Sequence, residues 1–190
     1  AVAVDGAQGA VVEINSETDF VARNEDFQAL VAEAADLGLK AGGDLEALKA
    51  TNTASGKTVV EAVNNAIATI GENMNLRRYE IASVANGVIA SYVHGAVKPG
   101  MGRIGVLVAL ESTGDAAKLA EIGKQVAMHV AAAAPKATSR DEVDPADIQR
   151  EREVLTAQAK ESGRPDNIIE KMVEGRLRKF YEESVLTEQA

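Results

Sequence analysis

Three strand-like segments follow one another closely in the middle of the chain, and their short connections constrain the fold more than any other feature. Short runs rich in apolar and β-branched residues predict strands over about 75–84, 87–95 and 103–111. The pair Asn86-Gly87 separates the first two segments and is typical of a two-residue β-hairpin turn. A longer loop containing Pro99 and Gly100 precedes the third segment. We therefore expect an antiparallel sheet in this part of the chain.

Helical patterns lie on both sides of these strands, and each begins at a residue that can cap it. The predicted N-caps are Asn24, Asp115 and Thr58, which matches a capping box with Glu61. Gly71 marks the end of the helix that begins after Thr58, and Pro135 marks the end of the helix that begins after Asp115. The predicted buried stripes are Phe27, Leu30, Val31 and Ala34; Val59, Val63, Ala66, Ile67 and Ile70; and Leu119, Ile122, Val126, His129 and Ala133. With a strand over 10–16, these patterns predict an α+β body with an antiparallel β-sheet core and packed helices.

The pattern changes after residue 143. Asp144-Pro145 supplies an N-cap followed by proline at the first helical position. Gly163-Arg164-Pro165 then interrupts a thin apolar seam, and a second helical stripe runs over about 166–183. Two short helices joined by a tight break predict an antiparallel helical hairpin. Because its seam is too short for a stable isolated coiled coil, we expect the hairpin to protrude.

Composition excludes several classes of site. The 190 residues include no cysteine, which excludes disulfides, thiolate metal ligands and cysteine nucleophiles. The net charge of −9 does not suit a nucleic-acid-binding protein. No apolar run of about 18 residues predicts a membrane span, and no basic N-terminal segment predicts a signal peptide. His129 is expected in a helix core and His94 at a strand end, so their spacing predicts no metal site. We expect no cofactor and no enzymatic activity.

Two glycine-containing motifs match nucleotide-binding sequences without their context. Gly100–Gly105 fits G-x-G-x-x-G, but a strand rather than a helix is predicted to follow it. Gly56-Lys57-Thr58 matches the end of a P-loop, but Thr51 occupies the place of the first glycine. Neither motif predicts a nucleotide site.

The segment Thr18-Asp19-Phe20-Val21 lies where a strand ends and a helix begins, and it allows two interpretations. Phe20 could insert into a partner, which would contribute about 1.5–3 kcal/mol from buried apolar surface, while Asp19 acts through charge. Alternatively, Phe20 could fold back as a hydrophobic staple for the next helix, with Asp19 as its cap. Spacing alone does not separate the two.

Six motifs resemble one family in order and nearly throughout the chain. They are Glu13–Phe27 (EINSETDFVARNEDF), Ile70–Arg78 (IGENMNLRR), Tyr92–Gly95 (YVHG), Arg103–Val108 (RIGVLV), Ala127–Ala132 (AMHVAA) and Ile169–Leu177 (IEKMVEGRL). These six motifs resemble those of the translation elongation factor Ts family. The resemblance implies a guanine-nucleotide exchange factor that binds elongation factor Tu in its GDP-bound and nucleotide-free forms, in the bacterial cytoplasm or in an organelle.

The resemblance also assigns roles to residues. It implies that Thr18, Asp19, Phe20 and Val21 contact Tu near its Mg²⁺ site, and that Ile70, Gly71 and His94 contact the same GTPase domain. It implies no direct nucleic-acid or membrane partner and allows a homodimer in a 2:2 complex. A Tu-binding or ribosome-associated structural module without exchange activity remains the alternative.

The domain boundaries are predicted from the same resemblance and from a weak internal repeat, in which a strand followed by a helix occurs at 9–16 and again at 103–112. We predict two related core subdomains, 1–86 and 87–143, of which the second is incomplete. The coiled-coil hairpin is predicted over 144–183, and a truncated return to the core over 184–190. The resemblance also implies an N-terminal helical module and a C-terminal end that we do not expect within these 190 residues.

Overall fold

A computed structural model describes all residues of the chain, 1–190. They form two compact units, Ala1–Ala131 and Ala132–Ala190. The predicted α+β class is confirmed, with helices packed on antiparallel strands. The finer subdomain boundaries proposed from the sequence stay predictions. None of the helices combines the length and the apolar character that a membrane span requires.

The first unit contains two antiparallel sheets. The larger has the order β1-β2-β3, formed by β1 (Val2–Asp5), β2 (Gln8–Ser16) and β3 (Met74–Ser83). The smaller pairs β4 (Gly87–His94) with β5 (Ile104–Glu111). The four predicted strands are present, and the short edge strand β1 is an addition that sequence reasoning missed.

The prediction of a hairpin at Asn86-Gly87 is wrong, because β3 and β4 belong to different sheets. The backbone groups around this pair bond elsewhere: the N–H groups of Ala85 and Asn86 donate to the Glu111 carboxylate at 3.2 and 2.9 Å. The Asn86 carbonyl accepts from the Ser112 N–H at 2.8 Å. Gly87 is the first residue of β4, with φ +147°. The pair therefore carries the chain from one sheet to the next.

The helices predicted to begin after Asn24, Thr58 and Asp115 are present, whereas the short helix before Asn24 was not predicted as a separate element. The helices of this unit are α1 (Asp19–Ala22), α2 (Glu25–Gly38), α3 (Leu45–Ala50), α4 (Val59–Ile70) and α5 (Ala116–Ala133). The Asn24 side chain accepts from two N–H groups of α2, and Thr58 and Glu61 form the predicted capping box. The apolar faces of α2 and α4 contribute to two buried clusters with β2 and β3. Local capping signals thus located both helices correctly.

The predicted buried stripe of α5 is partly wrong. Ile122 is 51% exposed, whereas the buried residues of the helix are Gly123 and Ala127. A Cβ on Gly123 would lie 2.5 Å from the Ala90 Cβ of β4. The helix therefore approaches the sheet more closely than a large side chain would permit, and its small residues form the contact face. His129 is half-buried.

The second unit contains the predicted helical hairpin, α6 (Pro145–Lys160) and α7 (Asp166–Ser184). Asp144 caps α6, and residues 161–165 connect the two helices. Their shared core consists of Leu155, Ala159, Ile169, Val173 and Leu177. At the base of the hairpin, Ala137 bridges Val185, which is fully buried, and the Arg140 guanidinium pairs with Glu188.

Replacing Thr58 with alanine is expected to destabilise the first unit by about 1 kcal/mol, because the change removes the N-cap of α4. The Thr58 N–H and hydroxyl both donate to Glu61, and these bonds lower the pKa of that carboxyl. Since the folded-state pKa is depressed, this stabilisation is present at neutral pH and is lost as the pH falls through the folded-state pKa. Chemical denaturation at pH 7 and at acidic pH measures the effect. The matched variant Thr69→Ala, later in the same helix, should be nearly neutral, and equal losses for the two would contradict the capping role.

Candidate protein-binding site

The short helix α1 presents the aromatic side chain that the sequence singled out. Thr18 is its N-cap, and the Thr18 hydroxyl accepts from the Val21 N–H at 3.5 Å. Val21 points inward and is buried, whereas Phe20 is 85% exposed, the highest value among the large apolar residues that are exposed. The hydrophobic-staple interpretation is therefore wrong. Phe20 does not cover the following helix α2, which is capped by Asn24, and Asp19 is the first residue of α1, which is capped by Thr18.

Asp19 forms an ion pair with Arg103, a residue that the sequence analysis did not place in the site. One guanidinium nitrogen, Nη2, donates to both carboxylate oxygens of Asp19, at 3.0 and 2.9 Å. The Arg103 backbone N–H donates to the His94 carbonyl at 3.0 Å. Both charged side chains are about 70% exposed, so we expect the pair to orient α1 more than to stabilise the fold.

Thr18 is connected to the end of α4 through Glu72, a second residue that was missed. The Glu72 carboxylate accepts from the Thr18 N–H at 3.1 Å and from its hydroxyl at 2.8 Å. Glu72 directly follows Gly71, which ends α4 in the left-handed conformation with φ +84°. Ile70 is half-buried against the cluster that contains Val21. The end of α4 and the start of α1 are thus held together.

His94 lies at the exposed end of β4, opposite Ile104 of β5. The Tyr92 hydroxyl lies 3.3 Å from the His94 Nδ1 atom, so the ring is oriented by its own strand. Arg103 connects His94 to Asp19, because its backbone N–H donates to the His94 carbonyl and its guanidinium donates to the Asp19 carboxylate. Three segments that are distant in sequence are therefore connected in space: residues 18–21, 70–72 and 94–104. We call this the candidate site.

The residues that connect the segments had a signal in the sequence. Glu72 lies within the motif Ile70–Arg78, and Arg103 begins the motif Arg103–Val108. Neither residue type attracts attention alone, because exposed Glu and Arg are common on any surface. The glycine motif Gly100–Gly105 covers the end of the β4–β5 loop and the first two residues of β5, so a strand rather than a helix follows the loop, as predicted.

Comparison with known proteins identifies the family. The sequence profile described as Elongation factor TS matches residues 17–190. Proteins named Elongation factor Ts are 58% identical over 190 residues in Parvibaculum lavamentivorans and 61% identical over 190 residues in Rhodospirillum rubrum, covering 100% and 99% of this chain. The Gluconobacter oxydans protein of the same name is 56% identical over 182 residues and covers 96% of the chain. The chain belongs to the elongation factor Ts family. It spans about 60–62% of the length of these relatives.

Proposed function

We propose that this chain binds elongation factor Tu and acts as a guanine-nucleotide exchange factor, promoting GDP release during translation elongation. Membership of the elongation factor Ts family supports the proposal. The observation that carries it is the 85% exposure of Phe20 while residues 18, 19 and 21 are each held by contacts within the chain. A rigidly mounted, solvent-exposed aromatic side chain is what a protein-binding anchor requires.

Exchange would follow from differential binding. If the chain binds nucleotide-free Tu more tightly than Tu·GDP, thermodynamic linkage requires that GDP bind Tu less tightly when the chain is present. Burial of one phenylalanine contributes about 1.5–3 kcal/mol, and each tenfold change in release rate corresponds to about 1.4 kcal/mol. Phe20 alone could therefore account for about one to two orders of magnitude.

We propose further that Asp19 and Phe20 act near the Mg²⁺ ion of Tu. A Mg²⁺ ion bound there would offset the negative charge of the nucleotide phosphates, so disturbing its surroundings would weaken GDP binding. Ile70, Gly71 and His94 would form the rest of the contact surface on the same GTPase domain. The Asp19–Arg103 pair makes the carboxylate of Asp19 an oriented group rather than a freely rotating one.

The decisive experiment follows release of fluorescent GDP from Tu after addition of this chain and excess unlabelled GDP. Faster release with increasing chain concentration is expected. Binding to Tu without any acceleration would contradict exchange activity and identify the chain as an interaction module. Absence of binding would contradict the partner as well.

Asp19→Asn is expected to slow the GDP release that this chain promotes from Tu most when Mg²⁺ is present in excess, because the proposed role of the carboxylate is exerted through the surroundings of the metal. With Mg²⁺ chelated, the variant and the parent chain should converge. The measurement is the release rate of fluorescent GDP at both Mg²⁺ conditions. Equal defects in the two conditions would reject a role at the metal and leave Asp19 as a purely structural partner of Arg103.

His94→Ala is expected to weaken Tu binding by a factor of about two to five, because residues at the rim of an interface contribute less than its central anchor. Titration calorimetry with nucleotide-free Tu measures the affinity. Val60→Ala, which shortens an exposed side chain on α4, is the matched control and should leave the affinity unchanged. A loss for His94→Ala larger than that for Phe20→Ala would overturn the proposed order of importance.

A further inference from the structure

The loop that connects β4 to β5, residues 95–103, has a fixed conformation. At its centre is a tight turn in which the Met101 N–H donates to the Lys98 carbonyl at 3.0 Å, with Gly100 at φ +73°. The Val97 N–H donates to the Met101 carbonyl at 2.9 Å. The Gly100 carbonyl also accepts from the Val2 N–H at 2.7 Å, which attaches the loop to β1.

This loop holds α1 at the two positions that flank Phe20. On the inner side, Met101 is buried in the same cluster as Val21. On the outer side, Arg103 binds the Asp19 carboxylate through both of its oxygens. The Phe20 side chain between them remains exposed. The contacts thus fix the backbone of α1 while leaving its aromatic side chain available.

We propose that the 95–103 loop is a positioning element for Phe20 and that Arg103 is its principal positioning residue. This inference rests on the proposed exchange function. A helix as short as α1 has no intrinsic stability in water, so its order must come from contacts with its surroundings. An anchor that is ordered before binding avoids the entropic cost of ordering it at the interface, and affinity improves accordingly.

Arg103→Ala is expected to slow GDP release from Tu by at most about fivefold, the effect of removing one exposed ion pair. Arg103→Lys should be intermediate, because lysine keeps the charge but carries it on a more strongly hydrated group with a flexible stem. Arg77→Ala is the matched control: Arg77 is also exposed and pairs with a carboxylate, Glu13, at 3.1 Å, but it lies on β3. The control should leave the release rate unchanged.

A double-mutant cycle tests whether Arg103 acts through Asp19. Arg103→Ala should have no further effect on the release rate in the Asp19→Asn background, because the pair is already lost. Effects that multiply in the double variant would overturn the positioning role and indicate that Arg103 contacts Tu by itself.

Amide hydrogen exchange on the chain alone gives a readout that does not depend on Tu. In α1, the N–H groups of Ala22, Arg23 and Asn24 donate to the carbonyls of Thr18, Phe20 and Val21. Arg103→Ala should accelerate exchange of these amides relative to Arg77→Ala, with little change in β2 and β3. Unchanged α1 amides would overturn the inference. Loosened α1 amides in a chain that never accelerates GDP release would support the positioning role and reject the proposed function.

Discussion

Replacing Phe20 with alanine is expected to slow chain-promoted release of GDP from elongation factor Tu by about ten- to a hundredfold. The range follows from about 1.5–3 kcal/mol for burying a phenylalanine side chain, at about 1.4 kcal/mol for each factor of ten. Because Phe20 is 85% exposed in the chain itself, its truncation should leave the melting temperature nearly unchanged. Fluorescent GDP release and thermal unfolding, measured on the same preparation, provide both values.

The controls for this variant use other exposed apolar residues. Val60→Ala removes exposed apolar surface from α4 and should change neither the release rate nor the melting temperature. Phe20→Leu should retain part of the activity, since it keeps an apolar side chain of smaller area. A folded Phe20→Ala variant with the parental release rate would contradict the hypothesis that Phe20 anchors the chain on Tu. A parallel loss of stability and activity would instead point to a structural role for the side chain.

The sequence singled out Thr18–Val21 as a candidate site but could not determine the direction of the Phe20 side chain. Anchor and staple make the same demands on local spacing, namely an aromatic residue next to a helix start. What separates them is a set of contacts between distant segments: Thr18 with Glu72, and Asp19 with Arg103. Such contacts depend on how α4 and the β4–β5 hairpin are placed, and no local pattern encodes that placement.

The fold shows the same division between local and non-local information. Helix starts at Asn24, Thr58 and Asp144 were predicted correctly because a capping side chain bonds within a few residues of itself. The stripe of α5 was partly wrong because hydrophobicity ranks Ile122 above Gly123. The backbone of α5 lies so close to Ala90 of the sheet that no side chain fits between them, and Gly123 therefore occupies the contact position.

The wrong prediction of a hairpin at Asn86-Gly87 also results from contacts with a distant segment. The pair has the composition of a type I′ turn, and strand-like segments lie on both sides of it. The pair does not form that turn, because the Glu111 carboxylate accepts from the N–H groups of Ala85 and Asn86 and holds them at the end of β5. Gly87 then pairs with Glu111 as the first residue of β4.

Gly87→Ala is therefore expected to be far more damaging than a substitution in an ordinary turn. A Cβ at residue 87 would lie 1.9 Å from the Leu110 carbonyl oxygen, which is backbone and cannot rotate away. A φ of +147° is also a conformation that alanine rarely adopts. Together, strain and overpacking should cost about 2–6 kcal/mol. Thermal unfolding and amide exchange of β4 and β5 measure the loss.

Gly6→Ala is the matched control for this substitution. Gly6 lies in the turn between β1 and β2 with φ +58°, and a Cβ there would meet no atom within 4 Å. Its cost should be limited to the left-handed conformation, about 1–2 kcal/mol. If Gly87→Ala were no worse than Gly6→Ala, residue 87 would occupy an open turn, and β3 and β4 would form the hairpin that their sequence suggests. A much larger loss for Gly87→Ala, with amide protection lost first in β4 and β5, is expected, because the clash falls on the backbone that joins those two strands.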